Sequence, residues 1–181
     1  GKTVIGYIGT HGMAHKLDFI LQSAKKLEDN PNLHFLLIGG GAMKESLLKL
    51  KDELGCTNVT MLDSVMKEEV ARYISILDVC LINLKKSPLF TTVIPSKIFE
   101  NAGMGIPILM GVEGEAKDII SQYGAGLCFE PENFDDFRQK LTALLEPATY
   151  AKCKEGCRHL ADNFDRKLLA ANMLKVIESA K

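Results

Sequence analysis

The chain has 181 residues, a length typical of one domain, and 46% of them are hydrophobic, which is enough to form a core without disulfide bonds. Twenty-two basic and twenty-three acidic side chains leave a net charge of −1, so no strong field attracts nucleic acid or an anionic membrane. Five cysteines without a CxxC pair indicate neither a disulfide framework nor a zinc ribbon. The absence of a signal peptide and of any 18-residue apolar run predicts a cytoplasmic protein.

Short apolar runs alternate with stretches of helical periodicity along the first 130 residues. We predict strands at 3–8, 33–38, 58–62, 78–84, 106–110 and 126–129. The helices between them are predicted at 16–29, 43–54, 67–76, 96–104 and 115–123. After residue 131 only helical periods remain, at 133–146, 148–162 and 166–179. This alternation predicts an α/β fold, namely a Rossmann-like doubly wound parallel sheet of about six strands with a helical C-terminal tail.

Glycine-rich loops follow three of the predicted strands. In an open parallel sheet ligands bind at the carboxyl ends of the strands, so these loops are informative. They are Gly9-Thr10-His11-Gly12, Gly39-Gly40-Gly41 and Gly111-Val112-Glu113-Gly114-Glu115. Glycines let backbone N–H groups approach an anion, and the following helices direct their positive dipole ends to the same edge. The loops predict a phosphate-bearing ligand, and tight strand-to-helix turns are the alternative explanation for the glycines.

Common cofactor and metal motifs are absent. Lys44 stands where the dinucleotide-binding fingerprint needs its third glycine, which disfavours NAD. The four histidines have no Cys or His partners at ligand spacing, so most are expected on the surface. We therefore predict neither a metal nor another cofactor.

The segment Pro95–Ile108, PSKIFENAGMGIPI, carries the strongest signal. Proline at the first helical position fixes the helix start, and the apolar stripe consists of Ile98, Phe99 and Ala102. Lys97, Glu100 and Asn101 then share the opposite face, at the ligand edge of the sheet. The first turn would present an ammonium and a carboxylate to one ligand. An exposed ion pair between Lys97 and Glu100 is an equally good interpretation of the sequence.

This segment resembles the donor-site signature of the retaining glycosyltransferases of family 4: a glutamate, seven residues, a second glutamate, and a small-residue stretch ending in Gly-x-Pro. The similarity extends along the chain through GTHGMAHKLDFILQSAKKL, FLLIGGGAMKESL, VTMLDSVMKEEVARYISILDVCLINL and GEAKDIISQYGAGLCFEPEN. It implies that residues 1–181 form a single nucleotide-sugar-binding domain, the C-terminal half of a two-domain enzyme of bacterial capsule or O-antigen style. The start at Gly1, without a methionine, is in line with an excised piece that lacks the acceptor-binding half.

By position, the resemblance implies that Glu100 binds the ribose hydroxyls, and Lys97 is the expected stabiliser of the leaving diphosphate. The first glutamate of the signature falls at Thr92, and the family's basic pair falls at Thr10 and His15. These positions depart from the family pattern, which affects the donor-sugar and phosphate contacts. The full set of residues expected at the nucleotide sugar is Gly9, Thr10, Gly12, His15, Lys16, Gly40, Thr92, Ser96, Lys97, Glu100 and Glu115.

The resemblance implies sugar transfer with retention from a UDP- or GDP-sugar to a glycan or lipid-linked acceptor held by the missing half. The family's front-face mechanism lets the leaving diphosphate help deprotonate the acceptor hydroxyl. Peripheral association of the full-length enzyme with the inner face of the membrane is left open, and the isolated chain is expected to be inactive. Two alternatives remain: a nucleotide-sugar epimerase domain of similar fold, and a non-catalytic nucleotide-sugar-binding domain.

Overall fold

The computed structural model describes residues 1–179. Its strands are β1 (Thr3–Ile8), β2 (Leu33–Ile38), β3 (Val59–Leu62), β4 (Val79–Asn83), β5 (Ile108–Gly111) and β6 (Gly126–Cys128). Its helices are α1 (Leu17–Lys26), α2 (Lys44–Leu54), α3 (Lys67–Ile74), α4 (Lys97–Gly103), α5 (Glu115–Tyr123), α6 (Phe134–Leu145), α7 (Pro147–Asn163) and α8 (Arg166–Ser179). Short 3₁₀ turns at Met13–His15 and Pro88–Phe90 lie in the loops after β1 and β4.

The strands form one sheet in the order β3-β2-β1-β4-β5-β6, and every neighbouring pair is parallel. The predicted Rossmann-like doubly wound sheet with C-terminal helices is therefore confirmed. The chain winds outward from β1 through β2 to β3, and then returns to place β4 on the other side of β1. Because the two halves wind in opposite directions, the loops after β1 and β4 separate and open a crevice at the carboxyl edge.

Both faces of the sheet are buried, which explains why its strands are continuous apolar runs. One core layer contains Phe35, Leu81 and Phe137, and the other contains Ile82, Ile98 and Ile108. The C-terminal helices contribute unequally. Helix α7 packs mainly against α4 and α6 and reaches the sheet at β6, whereas α8 buries none of its side chains. Among residues 1–179, no helix combines the length and apolarity needed to cross a membrane.

Most predicted element boundaries agree within a few residues. The differences that matter are the starts of β5 and α4, which both lie after a proline, and the burial of Asn101. Strand β5 starts at Ile108, after Pro107, because proline has no N–H to give to a ladder. Helix α4 starts at Lys97, so Pro95 lies before the first helical position and that prediction was wrong. Asn101 is buried instead of sharing the polar face, because its Nδ2 donates to the backbone O of Lys97 at 2.8 Å.

Candidate functional site

Two glycine loops join at the carboxyl edge of the sheet. They are the first glycine loop (Gly9–Gly12) after β1 and the second glycine loop (Gly39–Gly41) after β2. The backbone N of His11 donates to the backbone O of Gly40 at 2.8 Å, so the strand pairing continues into the loops. This pairing fixes the loops against each other at the edge of the crevice.

A cleft of about 250 Å³ opens beside these loops. Glycine backbone forms one side of it, together with the side chain of Thr10, which is exposed. Ser64 supplies a hydroxyl, and the remaining walls are the apolar side chains of Ile8, Ile38, Val65 and Val70. A planar, partly apolar ring with hydrogen-bonding edges fits such a lining.

Lys97 is a half-buried cation without a partner. Its Nζ lies 4.9 Å from the centre of the Tyr7 ring, and only 2.6 Å from the position of a Cβ built on Gly9. Within residues 1–179, this ammonium makes no hydrogen bond and no ion pair, and in particular none with Glu100. The structure therefore does not contain the surface ion pair that the sequence left as an alternative. Burial lowers the pKa of Lys97, and an anion arriving beside it would compensate the cost of the buried charge.

The lysines that follow the two glycine loops in the chain, Lys16 and Lys44, already have hydrogen-bond partners. Lys16 Nζ donates to Asp18 Oδ2 at 2.8 Å, and Lys16 itself has a left-handed backbone with φ of 49°. Lys44 Nζ donates to the backbone O of Gly39 at 3.0 Å and pairs with Asp63 at 3.4 Å. These contacts neutralise or restrain both cations.

Two histidines flank Tyr7 beneath the first glycine loop. The Tyr7 hydroxyl donates to the backbone O of Thr10 at 2.7 Å, and the ring centres of His11 and His15 lie 6.0 and 5.7 Å from that of Tyr7. His11 is fully buried and neither of its ring nitrogens is hydrogen-bonded. Of the four histidines only His159 is exposed, so the expectation that most of them lie on the surface was wrong. Burial, and then the charge of Lys44, lower the pKa of His11 to about 4. Burial, and then the charge of Lys97, also lower the pKa of His15.

Asn83 ties the two sides of the crevice together, and sequence reasoning missed it. It is buried at the end of β4, and its Nδ2 donates to the backbone O of His15 at 2.9 Å and of Lys16 at 3.3 Å. This amide, together with the backbone N of Lys85, which donates to the backbone O of Ala14 at 2.7 Å, holds the loop after β1 against the end of β4. The sequence feature that could have indicated Asn83 is its place as the one polar residue at the end of an otherwise apolar strand.

The loop after β5 is packed against the loop after β4. The backbone N of Glu115 donates to the backbone O of Thr91 at 2.8 Å, and Gly114 approaches that carbonyl so closely that a Cβ would collide with it. The φ of Gly114 is 76°, which also favours glycine. The first amide of α5 is therefore in use, while the side chains of Thr92 and Glu115 remain exposed.

Eight of the eleven predicted residues fall into two neighbouring groups. Around the crevice lie Gly9, Thr10, Gly12, His15, Gly40 and Lys97. Lys16 lines a separate groove beside Met13, and Thr92 and Glu115 belong to neither group. Ser96 and Glu100 are exposed and open onto a second groove of about 450 Å³, between α4 and the start of α8. Lys97 and Glu100 nevertheless lie one turn apart on α4, so one ligand could reach both.

Within the part of the chain that the structure describes, no group of three or more His, Cys, Asp or Glu side chains could hold a metal ion. The metal-free chemistry expected from the sequence remains a prediction.

Comparisons with known proteins identify the family and the fold. Residues 1–160 match the family described as glycosyl transferases group 1. Over 176 residues the chain is 30% identical to TuaH of Bacillus subtilis strain 168, whose name assigns it to teichuronic acid biosynthesis as a glycosyltransferase. This alignment covers 95% of the chain and 42% of TuaH.

Two crystal structures illustrate the shared fold. HepE of Anabaena, in complex with UDP, superimposes with a TM-score of 0.83 at 14% identity, over 98% of this chain and 49% of HepE. WaaG, a glycosyltransferase involved in lipopolysaccharide biosynthesis, superimposes with a TM-score of 0.75 at 18% identity, over 91% of this chain and 44% of WaaG. The chain spans less than half the length of these relatives.

Proposed function

This chain belongs to the group 1 glycosyltransferase family, and from that premise we propose that it binds the activated donor, a UDP- or GDP-sugar, in a retaining transfer to a glycan or lipid-linked acceptor. The family favours sugar transfer over the epimerase alternative. The observation that carries the proposal is the unpartnered ammonium of Lys97 beside Gly9, because a half-buried cation at a crevice lined by glycine backbone is suited to a diphosphate.

The nucleotide fits the two sides of the site in different ways. We place the diphosphate between Lys97 and the first glycine loop, and the base in the cleft, where Ser64 offers a hydrogen bond between apolar walls. Glu100 lies one turn further along α4, and its carboxylate is suited to accept two hydrogen bonds from vicinal ribose hydroxyls. HepE was crystallised with UDP, which supports a donor of this class.

The chemistry asked of these residues is positioning and charge stabilisation. Lys97 would stabilise the negative charge that develops on the leaving diphosphate, and that diphosphate would accept the proton of the acceptor hydroxyl on the same face of the sugar. No step of this sequence requires a metal ion. Thr92 lacks the carboxylate that the family signature has at this position, so donor-sugar contacts must come from other groups.

The wider role follows from the relatives. TuaH is named for teichuronic acid biosynthesis and WaaG for lipopolysaccharide biosynthesis, and these names support a role in polysaccharide biosynthesis. We propose that this role is of the capsule or O-antigen kind and is carried out in the cytoplasm. Because the chain spans less than half of their length, we assign acceptor binding, and any peripheral contact with the membrane, to the remainder of a full-length enzyme.

A calorimetric panel of UDP, GDP and their sugars tests the proposal. We expect one base to bind clearly more tightly than the other, and Lys97→Ala to abolish most of that affinity. Lys152→Ala is the matched control, because Lys152 is exposed on α7, away from the crevice. If none of these nucleotides binds the wild-type protein, the proposed function is wrong.

A further inference from the structure

The crevice lacks charge for the ligand that the proposed function assigns to it. The diphosphate of a nucleotide sugar carries two negative charges, whereas Lys97 supplies one unpartnered positive charge. Lys16 and Lys44 are held by their own carboxylate and carbonyl partners. Lys85 is exposed and lines a different groove, beside Met13. Within the residues that the structure describes, a second cation beside the first glycine loop would therefore have to be a group that is neutral before the ligand arrives.

His15 occupies the position from which that charge could act. Its ring lies edge-on to Tyr7, whose ring also lies beneath Lys97 Nζ. Its Cδ2 is 3.7 Å from the position of a Cβ built on Gly12, so the imidazole adjoins the first glycine loop. The side chain is half-buried, in contrast to the fully buried His11 behind it. His15 can therefore reach a ligand seated on the loop with little movement.

We propose that His15 supplies the second positive charge: it takes up a proton from solvent when the diphosphate binds beside Lys97, so that donor binding is coupled to protonation of this side chain. The inference rests on the proposed function, because the diphosphate is its trigger. His15 would then provide, only when the diphosphate is bound, the positive charge that a lysine or arginine at this place would carry at all times.

The groups around His15 determine whether its pKa is raised or lowered in the free protein. Burial, and then the charge of Lys97 on α4, oppose its protonation. His11 in the first glycine loop is coupled to it, because a charge on His15 lowers the pKa of His11. Tyr7 of β1 is uncharged, and Asp18 of α1 is paired with Lys16. The amide of Asn83 on β4 donates to the backbone O of His15 and of Lys16, whereas the backbone of Asn83 favours the protonated ring and raises the pKa of His15. Within residues 1–179, no carboxylate pairs with His15.

The free protein therefore holds His15 neutral, because burial and the charge of Lys97 lower its pKa. The bound diphosphate brings negative charge and raises that pKa. Between the two pKa values each binding event takes up as much as one proton, and affinity falls as pH rises, by at most about tenfold per pH unit. Above the pKa of the bound state, affinity no longer depends on the protonation of His15.

The experiment titrates the wild-type chain with UDP-glucose and with a GDP-linked sugar. Nucleotide sugars are the right probes because their diphosphate diester, unlike free UDP, has no group that titrates near neutral pH. Calorimetry in two buffers of different ionisation enthalpy measures the number of protons taken up. We expect net uptake near neutral pH and an affinity that weakens severalfold between about pH 6 and about pH 8.

Two substitutions assign the proton. His15→Lys holds a constant charge, so uptake should disappear and the affinity at high pH should match that of the wild type at low pH. His15→Gln should also lose uptake, with weak affinity throughout. His159→Gln is the control, because His159 is exposed on α7 and its Nε2 lies 3.5 Å from Glu155. This variant should bind the nucleotide sugars with the same affinity and the same proton uptake as the wild type.

Binding without proton uptake in the wild type would overturn the inference while leaving the proposed function intact. Persistence of uptake in His15→Gln would overturn it as well, because another group, such as His11, would then be the acceptor. The buffer comparison on the wild-type protein does not depend on whether a variant folds. If no nucleotide sugar binds at all, it is the proposed function that fails.

Discussion

Lys97 Nζ occupies the space that a side chain on Gly9 would need, 2.6 Å from the position of a Cβ there. The two residues come from the end of β1 and the start of α4, so this contact lies at the point where the two halves of the sheet diverge. Gly9 also has a φ of 149°, a conformation that side chains rarely adopt. The glycine is therefore required both by its own backbone and by the lysine packed against it.

Gly9→Ala should displace the ammonium of Lys97 and weaken nucleotide binding at least tenfold. Backbone strain and the clash should together lower the free energy of unfolding by about 1–3 kcal/mol. Gly103→Ala, at the end of α4, is the control: a Cβ there meets nothing within 4 Å and should leave binding unchanged. Titration calorimetry and urea unfolding of both variants provide the measurements. Wild-type affinity in Gly9→Ala would contradict the assigned position of the diphosphate.

Lys97 and Glu100 should act on different parts of one ligand. Lys97→Met keeps an apolar chain over Tyr7 but removes the charge, so it should strongly weaken UDP or GDP binding and hardly affect binding of the nucleoside. Glu100→Gln keeps the shape but removes a charged acceptor, so nucleotide and nucleoside binding should both weaken by about 1–3 kcal/mol. Glu155→Gln on α7 serves as the matched control for the carboxylate.

One outcome would contradict the roles assigned to Lys97 and Glu100. If Lys97→Met and Glu100→Gln both bind nucleotide like the wild type and lose only thermal stability, the two side chains have a structural role and the site lies elsewhere.

Nucleotide binding should not require a divalent cation. The ammonium of Lys97 and the protonated ring of His15 would supply the positive charge, the glycine backbone would supply donors, and the described residues contain no cluster that could hold a metal. We expect the same affinity for UDP or GDP in EDTA and in Mg²⁺. Binding that appears only after a divalent ion is added would show that the metal-free model is wrong.

The 181-residue chain alone should transfer no sugar. The cleft and Lys97 provide a place for the donor, but a two-domain enzyme needs a second surface to orient the acceptor, and the chain spans less than half of its relatives. A radiolabelled nucleotide sugar, incubated with the chain and a defined acceptor, gives the measurement. Robust product formation would mean that this chain already contains the acceptor site.

Asn83→Ala should destabilise the crevice, because it leaves the backbone carbonyls of His15 and Lys16 without their shared donor. We expect a loss of about 1–3 kcal/mol in the free energy of unfolding. Asn163→Ala is the comparison, because the Asn163 amide also donates to a backbone O but is exposed. Urea unfolding should separate the two variants clearly, and equal losses would argue against a bracing role for Asn83.

The parts of the fold that depend on local pattern were predictable. The bounds of β1 and β2 agree residue for residue with the prediction, because each apolar run is followed directly by glycine. The parallel, doubly wound sheet also follows from the alternation of strands and helices with right-handed crossovers. The alternation alone does not distinguish the strand order that the structure has from other doubly wound orders.

The interior of the site was less predictable, because it depends on contacts between distant segments. His11 is buried only because the two glycine loops pair, and its partner Gly40 is 29 residues away in the chain. Lys97 was singled out from its motif, but its position over Tyr7, instead of beside Glu100, depends on the absence of a side chain at Gly9. No local pattern contains that information.

The pairing of β1 has a mechanical consequence for the whole sheet. Six residue pairs, from Thr3 and Leu33 to Ile8 and Ile38, join β1 to β2, whereas two pairs, Ile5 with Val79 and Gly6 with Cys80, join β1 to β4. One further hydrogen bond, from the backbone N of Asp78 to the backbone O of Val4 at 2.9 Å, lies at the end of this shorter pairing. This short seam is the place where the sheet has least backbone pairing to resist separation. A ligand that contacts both the first glycine loop and α4 spans the β1–β4 pairing. It would therefore hold together the two halves of the sheet, β3-β2-β1 and β4-β5-β6, which few backbone pairs join. Bound nucleotide should therefore slow amide hydrogen exchange on both sides of the seam, including strands that it never touches.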